Sequence, residues 1–457
     1  MSFNYVSLAF DLPEDLMRAK MSGRFDLLND LIDARLSDKR TSPIMKERLY
    51  TEKLTLSRWL KRFIYDRSGA VALCKRRIRD FEEKELDAFE KIGMVDYIFY
   101  NGEKRYLSSF CSTLIKTFPE IGARSLDKKE EVDDGTAFKP FFEEISEKGC
   151  VGYEFTVKSS LRIEDGAFKP GAYLAHIPVP AVSAQQREKD IKIVCDADAV
   201  VSSPAAAQRA VCFKRHLDEN RPFEVEFSYS SVINYVRPLE EKPHLAYPDV
   251  PAPTREDLSE QYPNIVFTPY LKQLAKWIAG DETRPLYMAK RVYDYITLNV
   301  KYSFMRPYVL IDRQAEYCAL NMKGDCGIQA LLFITLCRIL GIPARWQSGL
   351  TVDRFSTGDH DWAQFWTDGF GWLFADPSYG GGGARQEDEI KRNFFFGNLD
   401  PFRMVANRVY GADFEVPKRF MRSDPCDSQD GEIESENMGL DGSLFDKTDT
   451  TVKFNHM

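Results

Sequence analysis

Residues 324–345 read GDCGIQALLFITLCRILGIPAR, and this stretch contains the clearest structural pattern in the sequence. Its apolar residues recur at three- and four-residue steps, which is the spacing of one face of an α-helix. Asp325 is a suitable N-cap residue, and Gly341 followed by Pro343 is a well-formed stop signal. The pattern therefore predicts a helix that ends at Gly341 and carries Cys326 in its first turn.

A cysteine at that position has a chemical consequence. A thiol in the first helical turn lies near unpaired backbone N–H groups and the positive end of the helix dipole, and both favour the thiolate. Because the thiolate is the nucleophilic form, Cys326 is a candidate nucleophile. The alternative is a buried structural cysteine that happens to follow a helix cap, since cysteine is often buried.

A strand from Ile342 to Gly349 and a β-hairpin are predicted beyond the helix. Residues 360–366, HDWAQFW, alternate as a strand does; residues 368–371, DGFG, supply the turn; and residues 372–375, WLFA, return before Asp376. If the hairpin places His360 and Asp376 at the same end, the carboxylate reaches one imidazole nitrogen and leaves the other for a thiol.

Nucleophilic catalysis needs this set of groups: a thiol, a base within hydrogen-bond reach, and a third group that fixes the tautomer of the base. Taken singly, His360 is also explained as a histidine at the surface or at a strand end. Asp376 is likewise explained as a turn residue before proline. One hypothesis, a catalytic triad with Cys326, explains all three positions together.

These motifs resemble the transglutaminase-like superfamily, which comprises papain-related thiol enzymes. The resemblance covers residues 270–380 closely and rests on Gly324-Asp325-Cys326, Gly341-Ile342-Pro343-Ala344-Arg345, His360-Asp361-Trp362 and Trp372-Leu373-Phe374-Ala375-Asp376-Pro377. It implies that Cys326 is the nucleophile, His360 the general base and acid, and Asp376 the orienting carboxylate. It also implies a papain-like α+β core in which the cysteine helix packs against an antiparallel sheet that carries the histidine and the aspartate.

Two features of the family do not map onto this sequence completely. The backbone N–H of Cys326 is assigned to the oxyanion hole, whereas the second donor has three candidates without a matching motif: Trp277, Tyr302 and Gln314. The animal enzymes of the superfamily use calcium, but no Asp-rich ligand loop of that kind is visible. We expect no metal and no cofactor.

Several other residues near the motifs have two interpretations each. Trp362 and Trp346 either bind substrate as walls of a channel or are packing residues. Residues 379–383, YGGGG, form either a mobile loop over the cleft or a poorly ordered surface loop. Asn398 and Arg403 bind substrate or, as we favour, have a structural role.

The predicted fold class is multidomain α+β, in four parts. Residues 1–135 form a helical domain, 140–250 an antiparallel β-sandwich-like domain, 255–420 the transglutaminase-like catalytic domain, and 421–457 an acidic C-terminal tail. The tail is either a solvated tail or a late edge segment, and its composition favours disorder. A run of charges at 126–134 predicts a loop or domain joint.

Composition excludes some classes of function. The 457 residues contain 62 Lys+Arg and 70 Asp+Glu, for a net charge of −8, which argues against nucleic acid as a partner. Hydrophobic residues at 44% are enough for packed cores, and no apolar run approaches the roughly 18 residues of a membrane span. The first residues lack signal-peptide features, and the nine scattered cysteines include no CxxC pair. We expect a cytoplasmic protein without a membrane partner.

The leading hypothesis is a cysteine hydrolase, of the thiol-protease or amidase type, that acts on peptide or protein amide bonds through a thioester. Hydrolysis is favoured because the calcium loop is missing, and acyl transfer to an amine stays open. The alternative is a non-catalytic binding or scaffold protein with the transglutaminase fold. A metal hydrolase is disfavoured, since no HExxH motif occurs. The sequence makes no prediction about the oligomeric state.

Overall fold

The computed structural model describes residues 5–127, 138–353 and 357–457. The chain divides into two compact units. The first comprises Met1–Glu130, Gln261–Val266 and Asn299–Ile328, and the second Glu131–Glu260, Phe267–Leu298 and Gln329–Met457. The first unit thus takes up two short segments of the predicted catalytic domain, and the four-part division stays a prediction. The charged run at 126–134 lies mainly outside the described residues.

The structure combines helices with several antiparallel sheets. Its α-helices are α1 (Glu14–Met21), α2 (Phe25–Ser37), α3 (Pro43–Arg62), α4 (Arg67–Arg77), α5 (Glu83–Lys91), α6 (Phe110–Thr117), α7 (Pro119–Gly122), α8 (Phe138–Lys148), α9 (Pro269–Ala279), α10 (Pro285–Asn299), α11 (Gln314–Asn321), α12 (Cys326–Ile339), α13 (Pro377–Arg385) and α14 (Glu389–Phe394). Its strands are β1 (Phe63–Tyr65), β2 (Tyr97–Tyr100), β3 (Glu103–Leu107), β4 (Cys150–Ile163), β5 (Gly171–Pro178), β6 (Lys192–Val194), β7 (Val200–Val201), β8 (Ala210–Leu217), β9 (Phe223–Asn234), β10 (Lys301–Tyr302), β11 (Lys323–Gly324), β12 (Ala344–Val352), β13 (Thr357–Thr367), β14 (Gly371–Ala375), β15 (Phe396–Gly397), β16 (Arg403–Asn407), β17 (Glu432–Ser435) and β18 (Phe445–His456).

The first unit is largely helical, as the three- and four-residue periodicity of its sequence predicts. Leu16, Leu28 and Ile32 of that periodic stripe are fully buried. A small antiparallel sheet of order β1-β3-β2, which the pattern did not predict, lies among the helices. In α3 the same periodicity does not predict burial correctly, because Leu60 is 39% exposed. This helix instead buries an ion pair between Arg48 and Glu52.

In the second unit, residues 150–234 form the antiparallel strands that their two-residue period predicts. Two sheets, of order β17-β5-β8-β7 and β18-β4-β9-β6, contribute to one apolar core. The register of β4 on β9 runs from Cys150 opposite Asn234 to Leu161 opposite Phe223. The inward-facing side chains of both sheets form this apolar core, because alternate side chains of a strand lie on the same face.

The interpretation of residues 421–457 as a disordered acidic tail is wrong, and the structure agrees with the alternative of a late edge segment. β17 pairs with β5, and β18 pairs with β4 from Phe445 opposite Ile163 to His456 opposite Tyr153. Both strands lie at sheet edges. β18 exposes alternate residues to water, as an edge strand with one solvated face does, whereas Glu432 and Glu434 of β17 are buried and paired with Lys418 and Arg419. Composition alone therefore predicted disorder where backbone pairing with a distant strand provides order.

The predicted helix and hairpin of the motif region are present in a five-stranded antiparallel sheet of order β15-β14-β13-β12-β16. The hairpin pairs Trp366 with Trp372 and Thr367 with Gly371. Within the second unit, Phe333 of α12 contacts Phe365 of β13 edge-on, with ring centroids 5.7 Å apart. A helix thus packs on the sheet that carries the predicted histidine on β13 and whose strand β14 ends just before the predicted aspartate.

The glycine run after Asp376 is not a loop but the helix α13, so both loop interpretations of residues 379–383 are wrong. A Cβ atom on Gly380 would lie 1.9 Å from the hydroxyl oxygen of Tyr293, and one on Gly383 would lie 2.7 Å from the backbone nitrogen of Arg392. The glycines therefore allow close approach of α13 to its neighbours. Within the described part of the chain, none of the helices is both long and apolar enough for a membrane span.

Candidate active site

Helix α12 begins at Cys326, as predicted, and Asp325 caps it. The carboxylate oxygen Oδ1 of Asp325 accepts a hydrogen bond from the backbone N–H of Ile328 over 3.2 Å and from the hydroxyl of Tyr308 over 2.6 Å. Burial raises the pKa of Asp325 to about 6, although both hydrogen bonds favour the ionised form. Two hydrogen bonds therefore hold Asp325, the residue before the candidate nucleophile.

Cys326 differs from most of the other cysteines in its burial and in its position at the start of a helix. None of the nine cysteines, all of which lie in the described residues, forms a disulfide; six are buried, Cys326 and Cys195 are half-buried, and Cys150 is exposed. Of these three, only Cys326 lies at the N-terminus of a helix. The backbone N–H groups of that terminus favour a thiolate. By contrast, burial raises the pKa of the Cys212 thiol to about 11.

The structure brings His360 and Asp376 together as predicted. His360 lies on β13 and Asp376 directly follows β14, the adjacent antiparallel strand. The imidazole Nε2 is 2.7 Å from Oδ2 of the carboxylate, and both side chains are buried. The other carboxylate oxygen, Oδ1, accepts the backbone N–H of Tyr379 over 2.9 Å and caps α13. Because Asp376 engages Nε2, it is Nδ1 that is left for proton transfer.

Arg403 supplies a positive charge behind this pair. Its guanidinium is fully buried, lies 3.3 Å from Oδ2 of Asp376, and pairs with Asp400 over 2.9 Å. A ring of Tyr379 lies 4.0 Å from the same guanidinium. Arg403 therefore has the structural role that we favoured. It also places a positive charge beside Asp376, which the sequence pattern did not indicate.

The two partners have pKa values that suit a neutral base and an ionised orienting group. Burial raises the pKa of Asp376, but the charge and hydrogen bond of His360, with the charge of Arg403, outweigh it and lower that pKa overall. The pKa of His360 is also lowered, because burial disfavours the imidazolium more than Asp376 favours it. The lowered pKa of His360 favours the uncharged imidazole, which is the form that accepts a proton.

Gln429 is a site residue that the sequence did not reveal. Its side-chain amide nitrogen lies 2.7 Å from the backbone carbonyl oxygen of His360 and 2.7 Å from Oδ1 of Asp361, and it donates to these acceptors. The carbonyl oxygen of Gly349, on β12, lies 3.2 Å from the same nitrogen. No motif signal marks Gln429, since it belongs to the segment that was predicted to be a tail.

The two candidate substrate-binding tryptophans are both buried. Trp362 is 0% exposed and donates its indole N–H to Oε1 of Gln347 over 2.7 Å, while Trp346 is 2% exposed and meets the ring of Tyr410 edge-on. These contacts favour the packing interpretation. Asn398 is also structural: its amide donates to the backbone carbonyl of Val236 and accepts that residue's N–H.

The candidates for a second oxyanion donor lie in different surroundings. Trp277 is 72% exposed, with its ring against Tyr295. Gln314 is buried, and its amide donates to the backbone carbonyl of Tyr308 over 2.8 Å. Tyr302 is buried on β10. Among the described residues, no group of three or more His, Cys, Asp or Glu side chains is arranged to hold a metal ion.

Comparison with protein families supports the resemblance seen in the motifs. Residues 272–377 match the family model of the transglutaminase-like superfamily, so this part of the chain carries a transglutaminase-like core. The matched segment contains Cys326, His360 and Asp376. No curated protein matches the chain.

Solved structures similar to this chain include two bacterial proteins. A "putative cysteine protease" from Cytophaga hutchinsonii is 13% identical, with a TM-score of 0.38, over 67% of this chain and 90% of the other. The periplasmic domain of TgpA from Pseudomonas aeruginosa is 13% identical, with a TM-score of 0.28, over 54% of this chain and 94% of the other. At these TM-scores the likeness carries no argument about function.

Proposed function

We propose that this protein is a cysteine-dependent enzyme that cleaves amide or peptide bonds, with Cys326, His360 and Asp376 as its catalytic triad. The observation that carries the proposal is the buried 2.7 Å contact between Nε2 of His360 and Oδ2 of Asp376. A histidine oriented in this way by a carboxylate is the base of a nucleophilic triad. The half-buried thiol of Cys326 at a helix N-terminus supplies a suitable nucleophile.

In the proposed reaction the Cys326 sulfur, after giving its proton to His360, attacks the substrate carbonyl carbon. The C–N bond then breaks, and His360 returns the proton to the leaving amine, which leaves a thioester on Cys326. His360 next removes a proton from water, the resulting hydroxide cleaves the thioester to a carboxylic acid and the Cys326 thiolate, and His360 returns the proton to that sulfur. The backbone N–H of Cys326 donates to the oxyanion in both steps.

We favour hydrolysis over transfer, and a peptide or protein as the substrate. Water and an amine compete for the same thioester, so the outcome depends on which of them reaches it. No cofactor enters either route. A cytoplasmic location remains a prediction from the sequence.

The nucleophile is tested by comparing Cys326→Ala with Cys195→Ala, which removes another half-buried thiol. The wild-type chain is labelled with iodoacetamide at neutral pH, and each alkylated cysteine is identified by peptide mass spectrometry. Casein and a glutamine-containing peptide are then incubated with each variant, and new amino termini and released ammonia are measured. We expect preferential labelling at Cys326, turnover by wild type and Cys195→Ala, and none by Cys326→Ala.

Turnover by the folded Cys326→Ala variant would refute the triad. A wild-type Cys326 that reacts no faster than Cys195, together with no turnover of either substrate, would favour the non-catalytic scaffold instead. Incorporation of a primary amine such as putrescine in place of water would keep the triad and change the reaction to acyl transfer.

A further inference from the structure

The main chain just before Cys326 is attached to another strand of the first unit. β10 and β11 run parallel, with Lys301 beside Lys323 and Tyr302 beside Gly324. The N–H of Lys301 donates to the carbonyl of Met322 over 2.9 Å, and the N–H of Ser303 donates to the carbonyl of Gly324 over 3.1 Å. The position of residues 322–324 therefore follows that of residues 301–303.

The segment around β10 is in turn held by helix α6 of the same unit. The hydroxyl of Thr117 donates to the carbonyl of Tyr302 over 2.6 Å, and the N–H of Phe304 donates to the hydroxyl of Thr113 over 3.0 Å. Both threonines are buried. A chain of direct hydrogen bonds thus links α6, through β10, to the residues that precede the nucleophile.

Lys323 adds a second attachment, made by its side chain. The side chain is only 4% exposed; its ammonium donates to the carbonyl of Gly93 over 2.6 Å and forms an ion pair with Asp96. Asp96 is itself 13% exposed, and a guanidinium nitrogen of Arg306 lies 3.9 Å from its other oxygen. Lysine is almost never this buried unless it is paired, and removing one partner leaves the other charge uncompensated.

The space around Gly324 is equally restricted. A Cβ atom there would lie 2.7 Å from Cγ2 of Ile328 and 3.3 Å from Sγ of Cys318. Lys323, Gly324 and Asp325 are therefore each fixed by a contact within the first unit. For Asp325 this contact is the hydrogen bond from Tyr308. Few directions remain in which Cys326 can shift while these contacts last.

We propose that Lys323 and Asp96 are positioning residues, whose ion pair holds residues 323–325 so that the Cys326 sulfur stays at the N-terminus of α12. The proposal rests on the proposed function, because the exact position of the Cys326 sulfur matters for the reaction only if Cys326 is the nucleophile. It also gives the N-terminal helical part of the chain a role: α6 and the segment between α5 and α6 hold the nucleophile in place. A thiol displaced from a helix N-terminus loses the backbone N–H groups that favour its thiolate.

The test measures the rate of Cys326 alkylation by iodoacetamide between pH 5 and 10 in the full-length chain, with the modified peptide quantified by mass spectrometry. Asp96→Asn and Lys323→Met break the ion pair, and Lys323→Arg keeps its charge. Arg48→Met is the matched control, because Arg48 also pairs a buried cation with a carboxylate, Glu52, and a carbonyl, that of Phe10. Thermal unfolding is recorded for each variant.

We expect Asp96→Asn and Lys323→Met to move the midpoint of the alkylation profile upward by about one pH unit, toward an ordinary thiol. We expect the midpoint of Lys323→Arg to lie close to that of the wild type. Arg48→Met lowers the melting temperature without moving the midpoint. The proposal is overturned by folded Asp96→Asn and Lys323→Met with the wild-type profile, or by an equal shift in Arg48→Met. It is also overturned if both variants are unfolded at 25 °C, since the pair then serves the fold alone. A wild-type midpoint at the ordinary thiol value would refute the proposed function itself.

Discussion

Gln429 donates its side-chain N–H to the backbone carbonyl oxygen of His360 over 2.7 Å, so a residue beyond the matched segment 272–377 holds the strand that carries the predicted base. The same amide reaches Oδ1 of Asp361, also over 2.7 Å. Gln429 is 7% exposed, and water cannot readily replace these hydrogen bonds. The C-terminal segment is therefore part of the site's support.

Replacing Gln429 with Ala leaves two buried acceptors on β13 without this donor. We expect the free energy of unfolding to fall by about 1–3 kcal/mol, which is the cost of unsatisfied buried polar groups. Urea denaturation measures the change. Gln386→Ala, at an exposed position, is the control and should alter stability by less than about 0.5 kcal/mol. Equal stability of Gln429→Ala and wild type would show that the amide contributes nothing.

Asp376→Asn tests the orientation of His360. The amide has nearly the same shape and can still cap α13, but it cannot stabilise an imidazolium, and it can present its N–H to Nε2 and favour the wrong tautomer. We expect hydrolysis of a casein-derived peptide to slow by roughly 10²–10⁴-fold. Asp388→Asn, at the cap of α14, is the control and should retain its activity. Full activity in folded Asp376→Asn would remove the carboxylate from the mechanism.

Gly380→Ala tests the close approach of α13 to α10. The added methyl group would lie 1.9 Å from the Tyr293 hydroxyl, which is fixed because it donates to the carbonyl of Arg392 over 2.7 Å. Overpacking of this kind costs about 1–3 kcal/mol, which a urea titration resolves. In Gly382→Ala, on the same helix, the methyl group is 3.7 Å from its nearest neighbour, a nitrogen of Arg385. That control should be unchanged or more stable, and a loss in both variants would contradict the steric explanation.

His176 makes stability depend on pH. Burial lowers its pKa to about 4, although its hydrogen bond to the carbonyl of Val416 and the charge of Glu432 oppose this shift. Since the unfolded chain binds a proton near pH 6.5 and the folded chain does not, the stabilisation is complete above that pH and is lost as the pH falls toward 4. The loss is on the order of 3 kcal/mol between pH 7 and pH 4.

Denaturation of the wild type and of His176→Gln over that range measures this contribution. The glutamine keeps a donor for Val416 and does not titrate, so its stability should fall less steeply with acid. His216→Gln replaces a histidine whose side chain is 65% exposed and serves as the control. Parallel curves for wild type and His176→Gln would contradict the shift.

The features that the sequence predicted well depend on neighbouring residues. The helix that starts at Cys326 follows from its cap, its stripe and its glycine stop, and the hairpin that joins His360 to Asp376 follows from alternation and a turn. These signals are local, so a single chain displays them without knowledge of the fold. The match of residues 272–377 to the transglutaminase-like superfamily follows from the same motifs.

The features that it predicted poorly depend on distant partners. β18 is ordered because β4, nearly 300 residues earlier in the chain, offers it a free edge, and its charges gave no sign of that partner. The glycines of α13 indicated a loop because the neighbouring Tyr293, which leaves no room for a side chain, lies far away in sequence.

From the amino-acid order alone come the three residues proposed for the chemistry, the type of element on which each one lies, and the match of residues 272–377 to the transglutaminase-like superfamily. What surrounds those residues depends on the folded chain: Arg403 beside Asp376, Gln429 behind His360, and Lys323 paired with Asp96. Burial and charge pairing join residues that are far apart in the chain, and their strength depends on distances that no local pattern encodes.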